Sequence, residues 1–137
     1  MQPVRTYIVE DSPIIRENLI ATLEEITPVQ VVGFAEDEES ALHWLTQPGH
    51  VCELIVIDIF LRTGSGLRVL ARTRAAGIRG ERVVLTNYAS QSLRRLCHRL
   101  GAGRVFDKSS EVDEFISYCA RIGEDRARLL VAGTHDD

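Results

Sequence analysis

The sequence lacks the features of membrane and secreted proteins. No apolar run approaches the roughly 20 residues that span a bilayer. Residues 1–5 lack the basic stretch and apolar core of a signal peptide, so we expect none. The cysteines, Cys52, Cys97 and Cys119, are odd in number and widely spaced, which predicts reduced core thiols rather than disulfides or a zinc site. These absences together predict a cytoplasmic protein without membrane contact.

Lysine is almost absent. Lys108 is the single lysine beside fifteen arginines. Lysine is a compact charge on a thin side chain, and arginine is a poor replacement for it in a tight phosphate site. The isolated Lys108 is therefore a candidate functional residue.

Positive charge is also unevenly distributed. Residues 1–58 contain eleven acids and two bases, whereas residues 59–110 contain two acids and eleven bases. The remaining residues contain seven acids and three bases, for a formal net charge of −4. Such blocks form interaction surfaces or solvated arginine-rich faces, and the sequence favours neither.

The length of 137 residues predicts one domain, which we place at residues 1–131, followed by a polar tail at residues 132–137. Five short apolar segments, at residues 5–10, 29–35, 53–58, 82–86 and 105–106, alternate with helical patterns. This alternation predicts an α/β fold with a doubly wound, five-stranded parallel sheet. Among the common orders of such sheets we expect 2-1-3-4-5, the flavodoxin-like (βα)5 arrangement. Helix N-caps are predicted at Ser12, Asp37, Ser90 and Ser110.

Polar side chains stand where the predicted strands end. In this strand order the first and third strands are neighbours, so Glu10, Asp11 and Asp58 should meet at one edge. Thr86 and Lys108 end the fourth and fifth strands on the same edge. Ligands bind at this edge of open parallel sheets.

The predicted cluster suits phosphoryl chemistry. Like charges about 4 Å apart cost about 4 kcal/mol per pair at an intermediate dielectric, and a divalent cation relieves this repulsion. Carboxylate oxygens with room for water suit Mg²⁺. With the Lys108 ammonium they would hold a phosphoryl group, to which Thr86 donates a hydrogen bond while the Asp58 carboxylate attacks.

The chain resembles the receiver domain of response regulators in bacterial two-component signalling. Its matching motifs are IVEDSP at 8–13, IDIFL at 57–61, GSGL at 64–67, VLTN at 84–87 and FDKS at 106–109. The resemblance covers residues 6 to about 122.

The resemblance implies a set of site residues. Asp58 would be the phosphoacceptor, with Thr86 and Lys108 contacting the phosphoryl group. Mg²⁺, with Mn²⁺ as an alternative, would be held by Glu10, Asp11, Asp58 and the backbone carbonyl of Phe60. The donor would be the phosphohistidine of a sensor histidine kinase or a histidine phosphotransfer protein.

The resemblance also implies how the signal leaves the domain. Phosphorylation would switch contacts of the face formed by the fourth helix, fifth strand and fifth helix. No DNA-binding region follows the last helix, so we expect either a stand-alone receiver or a receiver cut from a longer regulator. Its target would be a downstream protein or a missing output domain, and we expect no nucleic-acid binding by this chain alone. Residues 129–131 would extend that helix as a homodimer contact or be merely its apolar end. We expect no enzymatic activity beyond the domain's own phosphoryl transfer and dephosphorylation.

Several residues depart from the family pattern. Val105 stands where the family has a switching aromatic residue, and Phe106 should face the opposite side of the strand. Phe60 and Tyr88 occupy the positions that tune phosphoryl hydrolysis in the family. Both are bulky, so we expect them to screen attacking water and slow self-dephosphorylation.

Three alternatives remain. A phosphatase with a nucleophilic aspartate would need a second acid two residues after Asp58, where Phe60 stands. A flavin-binding protein would need a phosphate-cradling glycine loop after the first strand, and that loop is acidic here. A degenerate receiver would act as a protein-interaction module without phosphate.

Overall fold

Strands and helices alternate along the chain. The computed structural model describes residues 2–135, with side chains through residue 125. The elements are β1 (Val4–Val9), α1 (Pro13–Ile26), β2 (Val29–Ala35), α2 (Glu38–Leu45), β3 (Leu54–Ile57), α3 (Gly66–Ala75), β4 (Glu81–Thr86), α4 (Gln91–Arg99), β5 (Arg104–Asp107) and α5 (Val112–His135). The predicted alternation is confirmed.

The strands form one parallel sheet. Their order is β2-β1-β3-β4-β5, and every neighbouring pair is parallel. The predicted fold class and strand order are therefore confirmed. Val9 of β1 pairs with Ile57 of β3. The residues that follow them, Glu10 and Asp58, therefore lie side by side.

Two apolar layers cover the sheet. One layer packs side chains of α2, α3 and α4, including Leu42, Leu70 and Cys97, against one face of the sheet. The other packs α1 and α5, including Leu23 and Phe115, against the opposite face. Alternate residues of a strand point to opposite faces, so each central strand contributes to both layers.

Three of the four predicted N-caps are confirmed. The capping oxygens of Ser12, Asp37 and Ser90 accept hydrogen bonds from Ile15 N, Ser40 N and Leu93 N at 3.3, 2.7 and 3.1 Å. The prediction for Ser110 is wrong, because α5 begins at Val112. Ser110 lies in the turn before the helix, where the Glu111 amide donates to the Asp107 carbonyl at 2.8 Å.

The last helix is longer than the sequence predicts. It runs to His135, so residues 132–135 of the predicted tail are helical. The division at residue 131 stays a prediction, and residues 136–137 and the side chains of residues 129–131 lie outside the described part. None of the helices between residues 2 and 135 combines the length and apolar character of a membrane span. Cys52, Cys97 and Cys119 are free and buried, as predicted.

Candidate functional site

Backbone hydrogen bonds at the carboxyl end of the sheet align the candidate residues. The amide of Asp58 donates to the Val9 carbonyl at 3.0 Å, which places Asp58 beside Glu10. The amide of Lys108 donates to the Thr86 carbonyl at 2.9 Å. The sheet itself therefore brings the sequence-predicted residues to one edge.

Asp58 is a buried carboxylate held by hydrogen bonds at both oxygens. It is 7% exposed. Thr86 Oγ1 donates to its Oδ1 at 2.8 Å, and Lys108 Nζ donates to its Oδ2 at 2.9 Å. The amide of Phe60 lies 3.3 Å from Oδ1 and donates to it. These donors fix the direction of both oxygens.

Lys108 bridges two carboxylates. Its Nζ also donates to Glu10 Oε1, while Glu10 Oε2 accepts the amide of Ser12 at 3.1 Å. Burial raises the pKa of Glu10 above its usual value, and its hydrogen bond with Lys108 only partly offsets this. Burial lowers the pKa of Lys108, but its hydrogen bonds and charge interactions with Glu10 and Asp58 outweigh burial, so this pKa is raised. The lysine is therefore held as a cation.

Glu10, Asp11 and Asp58 fit a divalent metal. Each offers one oxygen, and these oxygens lie within 4.8 Å of one another. Asp11 is oriented by the amide of Arg62, which donates to Oδ2 at 2.8 Å. Carboxylate oxygens in this number leave room for water, which suits the octahedral preference of Mg²⁺.

A cavity of about 360 Å³ opens onto these groups. Its lining residues are Glu10, Asp11, Ser12, Ile15, Asp58, Phe60, Asn87, Tyr88 and Lys108. Phe60 and Tyr88 are 58% and 86% exposed, so their rings lie at its outer side. The cavity is thus polar at its base and apolar at its rim.

A glycine and a buried acid hold the loop after β3. A Cβ at Gly66 would lie 2.1 Å from the Asp58 carbonyl oxygen, so only glycine permits this approach. Glu38 is 4% exposed and accepts the amide of Ser65 at 3.1 Å and Arg72 Nη1 at 2.8 Å. Burial opposes ionisation of Glu38, but the bonds from Arg72 and Ser65 lower its pKa overall. The ionised Glu38 therefore fixes this loop against α2 and α3.

Arg16 is a site residue that the sequence reasoning missed. Its Nη1 donates to the Glu10 carbonyl at 3.0 Å and to Glu36 Oε1 at 3.2 Å. The guanidinium also lies 4.1 Å from the centre of the Phe34 ring. A signal was available, because Arg16 is one of only two bases in the acidic first 58 residues.

The fifth strand lacks an aromatic side chain on the α4 side. Val105 packs in the layer that contains α4, and Phe106 packs in the opposite layer, edge-on to Phe115 with ring centres 5.7 Å apart. The predicted opposite orientation of Phe106 is confirmed.

Comparisons with known proteins agree on one family. The family model for the response regulator receiver domain matches residues 6–120. The chain is 28% identical over 96% of its length to the transcriptional regulatory protein MalR of Bacillus subtilis. It is 30% identical over 78% of its length to the transcriptional regulatory protein CitB of Klebsiella pneumoniae. It spans about half the length of these relatives, 54% and 44%.

A solved structure shares the fold. The signal receiver domain of the putative response regulator NarL from Mycobacterium tuberculosis superposes with a TM-score of 0.76 at 22% identity. The match covers 88% of this chain and 98% of that one.

Proposed function

The chain belongs to the response regulator receiver domain family, and we propose that Asp58 accepts a phosphoryl group from a partner's phosphohistidine. The supporting observation is the environment of Asp58. Its buried carboxylate lies between a hydroxyl donor and an ammonium, 2.8 and 2.9 Å away, beside two further acids.

The residues at this edge divide the chemistry between them. One Asp58 oxygen attacks phosphorus, the bond from phosphorus to the imidazole nitrogen breaks with its electron pair going to nitrogen, and the leaving imidazole takes up a proton from water. Thr86 Oγ1 and Lys108 Nζ then donate to the transferred oxygens instead of to the free carboxylate. Mg²⁺ or Mn²⁺, held by Glu10, Asp11, Asp58 and the Phe60 carbonyl, would neutralise charge on the phosphoryl oxygens.

The family and the surface charge support a signalling role. The donor would be a sensor histidine kinase or a histidine phosphotransfer protein in the cytoplasm. Phosphorylation would alter the face of α4, β5 and α5, and thereby its contacts with an output domain, a downstream protein or a second copy. The arginines Arg95, Arg99, Arg104 and Arg121 are exposed on these elements.

Intact mass measurement tests the proposal. The protein is incubated with Mg²⁺ and a small acyl phosphate, and we expect the mass to rise by one phosphoryl group. Asp58→Asn should abolish this gain, whereas Asp113→Asn, at an exposed position in α5, should retain it. An unchanged wild-type mass would instead support a receiver that signals without phosphate.

A further inference from the structure

The loop between β4 and α4 connects the candidate phosphorylation site to the surface of α4. It begins after Thr86, whose hydroxyl donates to Asp58, and ends where Ser90 caps α4. Both backbone polar groups of Ala89 in this loop are held by side chains. Its amide donates to Asp107 Oδ2 at 3.0 Å, and its carbonyl accepts Arg94 Nε at 3.0 Å.

Arg94 joins this loop to β5 and α5. Its Nη1 donates to the Val105 carbonyl at 3.0 Å, and its Nη2 donates to Glu111 Oε1 at 2.5 Å. The same Glu111 oxygen accepts the amide of Asp107 at 2.9 Å. The guanidinium therefore contacts the loop, the strand and the start of the last helix at once. Asp107, which bonds both to the loop and to Glu111, directly precedes the site residue Lys108.

The loop contains a strained backbone conformation, and the hydrogen bonds of Ala89 hold the loop in it. Tyr88 has φ of +57° and is the one non-glycine residue with positive φ between residues 2 and 135. This conformation costs about 1–2 kcal/mol for a residue with a Cβ. The Tyr88 side chain is 86% exposed, so its own packing contributes little to holding the turn. The neighbouring Ala89, bonded on both sides, supplies the restraint.

We propose that Arg94 positions this loop and couples the state of Asp58 to the face of α4, β5 and α5. Val105 has no aromatic ring that could rotate. Arg94, on α4, contacts the β4–α4 loop, β5 and the start of the last helix. When the Thr86 hydroxyl turns from Asp58 to a transferred phosphoryl oxygen, the loop follows it. Ala89 then leaves Arg94 and Asp107, and the released guanidinium changes the charge and shape of the face. This inference rests on the proposed function and assigns the residue that relays it.

Amide exchange and backbone chemical shifts test the coupling in ¹⁵N-labelled protein treated with Mg²⁺ and an acyl phosphate. In the wild type, we expect phosphorylation to accelerate exchange of the Ala89 amide at least about fivefold and to shift the α4 resonances. In Arg94→Gln, the mass gain should persist while the α4 response is lost. Arg95→Gln is the matched control, since its guanidinium donates to Ser92 Oγ at 3.5 Å within α4 itself, and it should respond as the wild type does.

The outcomes separate this inference from the proposed function. A wild-type protein that gains no phosphoryl group contradicts the proposed function itself. An Arg94→Gln protein that gains the group and shows the full α4 response overturns only the coupling role. Should Arg94→Gln fail to fold, Glu111→Gln decides by the same criterion, because it keeps an oxygen for the Asp107 amide but removes the charge that holds Arg94.

Discussion

Replacing Lys108 with methionine tests whether the ammonium charge stabilises the buried carboxylates of the site. The substitution removes the ammonium and keeps an unbranched side chain of similar length. The side chains of Lys108, Glu10 and Asp58 are only 11%, 4% and 9% exposed. In the variant, two carboxylates stay buried near a third without a cation between them.

The expected loss follows from the distances. At an effective dielectric of about 20, the attraction between Lys108 and Asp58 across 2.9 Å is about 6 kcal/mol. The net loss is smaller than this attraction, because the variant no longer has to desolvate the ammonium. Breaking a buried ion pair by removing one partner costs about 3–5 kcal/mol. We therefore expect Lys108→Met to lower the free energy of unfolding by about 3 kcal/mol or more in chelator.

Urea unfolding followed by fluorescence of Trp44, the single tryptophan, measures this loss. Mg²⁺ should restore part of the stability, because it replaces the missing positive charge among the acids. The difference in the free energy of unfolding between the wild type and Lys108→Met should also become smaller as the pH falls from neutral. Burial raises the pKa of Glu10 in the folded wild type, and Lys108 lowers it, so removing Lys108 should raise the folded pKa further. Stability linked to a raised pKa is greatest at low pH and is lost as the pH rises through the folded value, and this loss is therefore larger in the variant.

The control is Arg95→Met, which removes an exposed cation from α4 and should change stability by less than about 0.5 kcal/mol. If Lys108→Met in chelator were as stable as the wild type, the acids would not depend on the ammonium, and the electrostatic account of the site would be refuted.

Three further predictions concern single side chains. Tyr7→Phe should leave the free energy of unfolding in urea unchanged or raise it by up to about 1 kcal/mol, because the buried hydroxyl has no hydrogen-bond partner in the described part of the chain; a clear loss would contradict this. Gly66→Ala should cost about 2 kcal/mol or more and slow phosphorylation, because its Cβ would lie 2.1 Å from the Asp58 carbonyl oxygen; wild-type unfolding and mass gain would disprove the clash. The phosphorylated state should last minutes or longer by timed mass measurement, and alanine at Phe60 or Tyr88 should shorten it; a wild-type lifetime of seconds would count against screening by the rings.

The strand ends could be predicted from local patterns. Short apolar runs and helical periodicity locate the elements, and the carboxyl ends of parallel strands share one edge. This was enough to place Glu10, Asp11, Asp58 and Lys108 together, as the hydrogen bonds and oxygen separations now show. The phosphoryl chemistry of these residues stays a proposal.

Other features depend on contacts between distant segments. Arg94 lies 17 residues from Glu111 along the chain, and no periodicity indicates that its guanidinium spans three elements. The bonds of Arg16 to the Glu36 carboxylate and of Glu38 to the Ser65 amide are of the same kind. The wrong cap at Ser110 is instead a local error, because the turn after β5 delays the start of α5 to Val112.

The sequence by itself determined the order of the strands and the edge at which the acids and the lysine meet. The period of burial locates the strands and helices, and an alternating parallel sheet has only a few common strand orders. Only the tertiary structure decided which side chains clamp the loops around Asp58. Those contacts depend on packing angles and side-chain rotamers between elements far apart in the chain, which local patterns do not encode.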